Sequence, residues 1–216
     1  MALLLYGVAK PAHGFACDFK GVAELHVSSF ERAGLTVFFS GSATADPWLR
    51  SRLRDCAIQF HDVLSHLFQQ CAVIPFRFPT IIENDEMLAE HMDQRAADYN
   101  SWLQKFQGKA QMDVRVIASA AHITPSSGGE FLRARQEQRR ELDAFAANTE
   151  ARCREVVEQW RRRALANGFR AAALLDRGRV EDFRQALAGM SVPPGFQVRV
   201  SGPWPVAEFL ESANEH

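Results

Sequence analysis

The run FRAAALL at residues 169–175 is a short, mostly apolar stretch that organises the second half of the chain. Its length and composition are typical of a strand in a sheet core. Asn167 and Gly168 precede it as a turn signal, and the amphipathic segment 180–187 that follows has helical spacing. The FRAAALL run is therefore predicted to be a buried strand that leads into a short helix.

Two further strands are predicted on either side of this pair, at residues 112–118 (MDVRVIA) and 196–200 (FQVRV). A long helical region is predicted from Glu130 to about Ala166, after the flexible connection Ser126-Ser127-Gly128-Gly129. The resulting order, β-α-β-α-β, predicts a ferredoxin-like unit with one strand missing or supplied from elsewhere.

The region 130–166 would be about 55 Å long if it were one unbroken helix. That exceeds the depth of a small domain, so we expect it to bend, most readily at Asn148-Thr149, or to project as a mobile element. Its outer face mixes Arg and Glu, which favours a solvated or protein-binding face over a nucleic-acid site. The candidate partner-binding residues are Arg133, Arg135, Arg139 and Arg140.

The first half of the chain predicts a second α+β unit. Strands are expected at Leu3–Val8, Val22–Val27 and Leu35–Ser40, the last two as a hairpin. One amphipathic helix is expected to open at Asp46-Pro47, and another at Asn84, ending at Gly108. We therefore expect an N-terminal α+β domain at 1–108 and a C-terminal domain at 109–216.

The composition of the chain excludes several classes of function. The 216 residues are 47% hydrophobic and 24% charged, with 25 Lys and Arg against 26 Asp and Glu. These values exclude a disordered chain and a protein that grips nucleic acid over its whole surface. The four cysteines lack C-x-x-C spacing, so we expect reduced thiols in a cytoplasmic protein. No targeting segment or membrane span is predicted.

No motif predicts catalysis, a cofactor or a metal. There is no G-x-S-x-G turn, and His61 and His66 are five residues apart, which places them on different faces of a helix. We therefore expect no enzyme activity and no metal site. The Arg77 side chain, set among aromatic and proline residues, either lies on an edge strand, where it extends to solvent or pairs with an acid, or is a buried anchor or anion contact.

Four segments in order resemble one known family. They are LLLYGV at 3–8, LTVFFS at 35–40, VIPFRFPT at 73–80 and SGPWP at 201–205. Together they are similar to the gas vesicle accessory proteins of the GvpL/GvpF family, and SGPWP is the most specific of them. The chain departs from the family pattern at Pro79, where glycine is usual, and after SGPWP, so it resembles a divergent member.

The resemblance implies a two-domain α+β fold whose C-terminal domain is ferredoxin-like, with a long helical insertion. It implies a non-enzymatic role in assembling gas vesicles in the cytoplasm, by binding the hydrophobic shell protein and other accessory proteins. It carries over as structural or interaction motif residues Pro75, Arg77, Phe78, Thr80, Gly202, Pro203, Trp204 and Pro205. Nucleic-acid, membrane and small-molecule partners are not expected.

Three alternatives and one structural expectation remain open at this point. An enzyme or ligand-binding protein could have an interdomain site near Arg77, and a ferredoxin-like unit could bind RNA, although MDVRVIA offers no aromatic for base stacking. The segment at Trp204 could itself be a partner-binding motif. We expect instead that the strand from Phe196 stops at Pro203 and that the tail packs back near Phe76–Phe78, with Phe209 as a second contact.

Overall fold

The computed structural model describes residues 2–10, 18–42, 52–118 and 128–210. The chain divides into an N-terminal unit, Met1–Gln107 with Trp204–His216, and a C-terminal unit, Gly108–Pro203. Each unit contains a four-stranded sheet with its own helices. In the described part of the chain, no helix is both long and apolar enough to span a bilayer.

The N-terminal unit is built on a sheet with strand order β2-β3-β1-β4. Its elements are strands β1 (Ala2–Ala9), β2 (Ser28–Arg32), β3 (Leu35–Ser42) and β4 (Val73–Ile82), and helices α1 (Leu53–Gln70) and α2 (Asp85–Lys105). The pairs β1–β3, β1–β4 and β2–β3 are all antiparallel. The Asp46-Pro47 signal for the first helix lies outside the described residues.

Strand β1 is the centre of this unit because both of its faces are buried. Residues 3–9 are all buried, as expected of a nearly continuous apolar run. Leu4 and Tyr6 belong to a core cluster with Phe60, Val63, Leu64 and Leu67 of α1. Helix α2 packs against β1, β2 and β4. Its start was correctly predicted, since the Asn84 side chain accepts a hydrogen bond from the Met87 N–H and caps it.

The strand predicted at Val22–Val27 is not formed. Val22–Glu24 is a 3-10 turn in which Ala23 and Glu24 have φ of 56° and 60°, and the strand that pairs with β3 is β2. The Tyr6 hydroxyl holds this turn on the sheet, accepting from the Val22 N–H at 2.9 Å and donating to Ser40 Oγ at 2.9 Å. These hydrogen bonds, rather than a ladder of strand pairing, explain why an alternating sequence forms a turn.

The C-terminal unit has the complete ferredoxin-like order β-α-β-β-α-β. Its elements are β5 (Lys109–Ala118), α3 (Gly128–Cys153), β6 (Gln159–Leu165), β7 (Gly168–Asp176), α4 (Val180–Ala188) and β8 (Phe196–Trp204). The sheet order is β6-β7-β5-β8, with β5–β7 and β6–β7 antiparallel. The FRAAALL run is the inner strand β7. The strand that was missing from the predicted ferredoxin-like order is β6.

The helical region predicted over 130–166 is therefore wrong in its second part. Helix α3 ends at Cys153 and does not break at Asn148-Thr149. It is the first helix of the ferredoxin-like unit rather than part of a longer helix. Residues 159–165 pair with β7 along their whole length. Strand β6 lies at the edge of the sheet, where charged side chains prevent pairing with other chains. Its three consecutive arginines therefore replace the apolar alternation by which a strand is usually predicted.

The last strand also extends further than predicted. Strand β8 continues through Pro203 to Trp204. Proline is permitted there because β8 is an edge strand, on which a residue without an N–H donor can face solvent without removing a hydrogen bond of the sheet. Gly202 has φ of +119°, and a Cβ there would lie 2.8 Å from the Gln111 carbonyl oxygen. The close approach of β8 to β5 therefore requires glycine at this position.

Candidate interaction surfaces

The VIPFRFPT segment forms an irregular part of β4. Pro75 lies opposite Gly7 and Thr80 opposite Leu5, so residues 76–79 face a single residue of β1. The Thr80 hydroxyl donates to the Arg77 carbonyl at 2.6 Å and stabilises this bulge. The bulge bends the strand, so its aromatic side chains no longer alternate regularly between the two faces of the sheet.

The aromatic residues of the bulge are packed, whereas Arg77 is not. The Phe78 ring lies 5.1 Å from that of Phe60 on α1, and the Phe76 ring 5.9 Å from the imidazole of His91 on α2. Arg77 between them is exposed. Of the two alternatives for Arg77, the exposed edge-strand position is the one observed, and the two phenylalanines are the anchors.

A cluster of titratable groups lies beside Phe76 on α2. His91 Nε2 is 2.8 Å from the Tyr99 hydroxyl, and the Arg95 guanidinium lies 5.5 Å from the centre of the Trp102 ring. Burial, with a contribution from Arg95, lowers the pKa of His91, and burial raises the pKa of Tyr99 to about 12. Both shifts favour the neutral form of the side chain, and Tyr99 is buried. This packed arrangement gives no support to a ligand or enzyme site near Arg77.

The C-terminal tail belongs to the N-terminal unit from Trp204 onward. The Trp204 ring lies 4.8 Å from the imidazole of His61 on α1 and is half-buried. Pro205 and Val206 are buried, and Phe209 is only 1% exposed. The Trp204 ring thus contacts His61, next in sequence to the Phe60 that packs on Phe78. The indole and the Phe209 ring are thus two separate apolar attachments of the tail.

The first half of α3 extends beyond the core of the C-terminal unit. No residue from Gly128 to Glu141 is buried, and the first buried side chain of the helix is Leu142. Fourteen residues of helix span about 21 Å. We refer to residues 128–141 as the free half of α3. It carries Arg133, Arg135, Arg139 and Arg140, of which Arg139 pairs with Asp143 at 3.4 Å.

The free half also carries two apolar side chains that sequence reasoning missed. Phe131 is 50% and Leu132 61% exposed. Phe131 precedes Leu142 by eleven residues, close to three helical turns, so it continues the face that packs on the sheet further along the helix. The signal was present in the sequence as an apolar pair at the start of a polar helix.

The thiols and histidines are distributed rather than clustered. Cys56, Cys71 and Cys153 are not in disulfides, and burial raises the pKa of Cys153 to about 11. His66 packs on Phe19, with ring centres 4.5 Å apart. Over the described ranges, no group of three or more His, Cys, Asp or Glu side chains is placed to hold a metal ion.

Comparisons with known proteins agree with the fold and with the resemblance. Gas vesicle protein L of Streptomyces sp. (strain CB03234) is 28% identical, over 77% of this chain and 75% of that protein. The crystal structure of the gas vesicle protein GvpF from Anabaena sp. PCC7120 matches with a TM-score of 0.80 at 15% identity, covering 100% of this chain and 98% of that one. GvpF from Microcystis aeruginosa matches with a TM-score of 0.78 at 14% identity, covering 98% and 99% of the two chains.

At such low identity the two crystal structures establish the fold, so the α+β class is confirmed. Family membership comes from the sequence: the family described as gas vesicle synthesis protein GvpL/GvpF matches residues 2–211. That match includes all four segments from which the resemblance was drawn. The chain therefore belongs to the GvpL/GvpF family of gas vesicle proteins.

Proposed function

We propose that this chain is a non-enzymatic accessory protein of gas vesicle assembly in the cytoplasm, which binds the shell protein and other accessory proteins. Family membership supports the gas vesicle role. The observation that carries the binding role is the free half of α3, with its two exposed apolar side chains. On this proposal the protein needs no cofactor, metal, small-molecule substrate, nucleic acid or membrane.

The physical reason lies in the shell subunit that the family serves. A very hydrophobic subunit aggregates unless its apolar surface is covered until it is incorporated. A protein that binds the unassembled subunit reversibly shifts it away from aggregation by mass action. Phe131 and Leu132 offer exposed apolar contact on a part of the helix in which no residue is buried.

The arginines of the free half would surround this contact. Arg133, Arg135, Arg139 and Arg140 lie within two to three turns of Phe131 on the same helix. Charges at the rim of an interface mainly set the rate and selectivity of association, whereas buried aromatic side chains supply most of the affinity. We therefore expect Phe131 to be the stronger determinant and the arginines to make binding salt-dependent.

The motif residues of β4 and of the tail have a structural part in this proposal. Pro75, Phe78 and Thr80 shape the β4 bulge, and Gly202, Pro203, Trp204 and Pro205 lead the chain from the C-terminal unit to the N-terminal one. On this proposal the domains at 1–108 and 109–216 are joined by a tail that docks back on the first domain.

The test is co-purification of the shell protein with the tagged chain. The double variant Phe131→Ser/Leu132→Ser should lose most of the captured shell protein. The matched control is Leu53→Ser/Ile58→Ser, which removes two apolar side chains of similar exposure, 55% and 53%, from α1. Equal capture by both variants and the wild type would place the contact elsewhere. Failure of the wild type to capture any shell protein would contradict the proposed partner.

A further inference from the structure

Strand β8 forms one edge of the sheet of the C-terminal unit. The strand order β6-β7-β5-β8 places β5 on one side of β8 and no strand of the described chain on the other. Gln197 and Arg199 are exposed, and Val200 is 38% exposed. An edge strand presents a row of backbone N–H and C=O groups with which another strand can pair. We call residues 196–200 the open segment of β8.

The other edges of the two described sheets carry features that hinder such pairing. Edge strand β6 has three consecutive arginines, and edge strand β4 contains two prolines and the bulge. Edge strand β2 is only five residues long and ends with Glu31 and Arg32. Charged residues, prolines, bulges and short length all protect an edge strand from other chains. The open segment of β8 contains no proline and a single charged residue, Arg199, so it is the least protected edge.

The side chains of the open segment alternate between the two faces of the sheet. Phe196 lies on the helix-covered face, because its ring is 5.7 Å from the ring of Phe145 on α3. Alternation along the strand places Val198 and Val200 on that same face. It places the side chains of residues 197 and 199 on the opposite face. The open segment is therefore apolar on the helix-covered face and polar on the other.

We propose that the open segment of β8 pairs with the same segment of a second copy of this chain, antiparallel and about a two-fold axis at Val198. Directly opposed residues of paired strands point to the same face. In this register Val198 lies opposite the partner's Val198, and Phe196 lies opposite the partner's Val200. On the other face, the Gln197 amide oxygen accepts a hydrogen bond from the guanidinium of the partner's Arg199. The open segment is thus complementary to itself in both polarity and charge.

The neighbouring two-fold registers are less favourable. A two-fold axis perpendicular to the sheet keeps directly opposed residues on one face, so the axis passes through a residue. Centred on Arg199, it would place two guanidinium groups opposite each other, and like charges in that position destabilise a sheet. Centred on Gln197, it would place Arg199 opposite Gly195, which precedes the strand. Of the three registers, the one centred on Val198 gives every residue of the open segment a matching partner.

The pairing forms a closed and weak dimer. Both copies use the same edge, so a two-fold contact leaves only the arginine-bearing β6 edges of these sheets at the ends. Beyond the open segment, the Gly202 carbonyl already accepts a hydrogen bond from Arg184 at 2.8 Å, and Pro203 has no N–H. Five residues of strand span about 17 Å. The interface therefore belongs to the small class, below about 1,200 Å², that is typical of transient complexes.

Dimerisation through β8 does not depend on the shell protein, because the open segment and the free half of α3 consist of different residues. Only its consequence rests on the proposed function. A dimer carries two copies of the free half of α3, and two linked binding sites bind an array of identical subunits more tightly than one site does. Either surface can fail its own test while the other passes.

The test is sedimentation equilibrium of the purified full-length chain at concentrations up to about 1 mM, which detects weak association. The wild type should shift from the monomer mass of 24.2 kDa towards twice that mass as its concentration rises. The variants Val198→Lys and Val198→Glu should each weaken the dimer at least about tenfold, because two like charges then face each other at the axis. The matched control Val192→Lys, at a 43% exposed position outside the strand, should associate like the wild type.

A mixture of the two Val198 variants tests the register itself. In a heterodimer of Val198→Lys with Val198→Glu, opposite charges face each other at the axis and attract. The equimolar mixture should therefore associate about tenfold more tightly than either variant alone. Damage to the fold of either variant would not be repaired by mixing, so this rescue separates direct pairing at Val198 from a structural effect of the substitutions.

Three results would overturn the proposal. A wild type that stays monomeric up to about 1 mM would show that the chain does not pair with itself, and would leave this edge to an extended segment of another protein. Unchanged association of both Val198 variants would place the contact between copies elsewhere. A mixture that associates no more tightly than its two components would contradict the register centred on Val198.

Discussion

Replacing Phe209 by alanine is expected to destabilise the N-terminal unit strongly, although the residue lies at the other end of the chain. Phe209 is 1% exposed, and truncating a buried phenylalanine to alanine costs about 3–5 kcal/mol. For a chain of this size, that corresponds to a fall in melting temperature of roughly 10 °C.

Trp204→Ala provides a graded comparison. A fully buried indole would cost as much as a buried phenylalanine, but Trp204 is only half-buried, against the His61 ring at 4.8 Å. Loss of about 100 Å² of apolar contact costs roughly 2–3 kcal/mol. The loss in free energy of unfolding should therefore be largest for Phe209→Ala and smaller for Trp204→Ala. It should be smallest for Ala207→Ser, at an exposed position of the tail.

The assay is urea unfolding with far-UV circular dichroism, supported by calorimetry to separate the transitions of the two units. Both aromatic variants should lower the midpoint of the transition in which the N-terminal unit unfolds. If Phe209→Ala unfolds with the free energy of the wild type, the tail is not packed as described, and the segment at Trp204 would then be better explained as a partner-binding motif.

Two further predictions concern the N-terminal unit. Tyr6→Phe should lower the free energy of unfolding by about 1–3 kcal/mol, because it leaves the Val22 N–H buried and unpaired; urea unfolding with unchanged stability would show that this hydrogen bond is not needed. Burial, with Arg95 nearby, lowers the pKa of His91 in the folded state, so its contribution to stability is present above its unfolded pKa, about 6.5, and is lost on acidification. The wild type should lose stability more steeply below pH 6.5 than His91→Gln, and identical pH profiles would contradict this.

Several elements were predictable because their periodicity reflects burial. Strands β5 and β7, helix α4 and the capped start of α2 all follow apolar patterns or capping residues that tertiary contacts reinforce. Strand β6 was not predictable in this way, since it lies at the sheet edge with most side chains in solvent. Its arginines therefore carry no apolar alternation, and its few apolar residues happened to fit helical spacing.

The candidate surfaces were predictable to different degrees. The arginines of α3 and the tail motif could be selected from the sequence, because each depends on neighbouring residues in one segment. The register that places Arg163 opposite Arg170, and Arg170 opposite Arg115, could not be selected in this way, because it exists only once three strands have paired. Arg77, by contrast, attracted attention by its aromatic neighbours, and those neighbours are the packed residues.

We proposed that this chain serves gas vesicle assembly through the free half of α3. The most direct measurement is the number of gas vesicles, counted by electron microscopy, in cells from which the gene for this chain has been deleted. We expect that deletion abolishes vesicles, that the wild-type gene restores them, and that the Phe131→Ser/Leu132→Ser variant does not. Vesicles in normal number in the deletion strain, or full restoration by that variant, would contradict it.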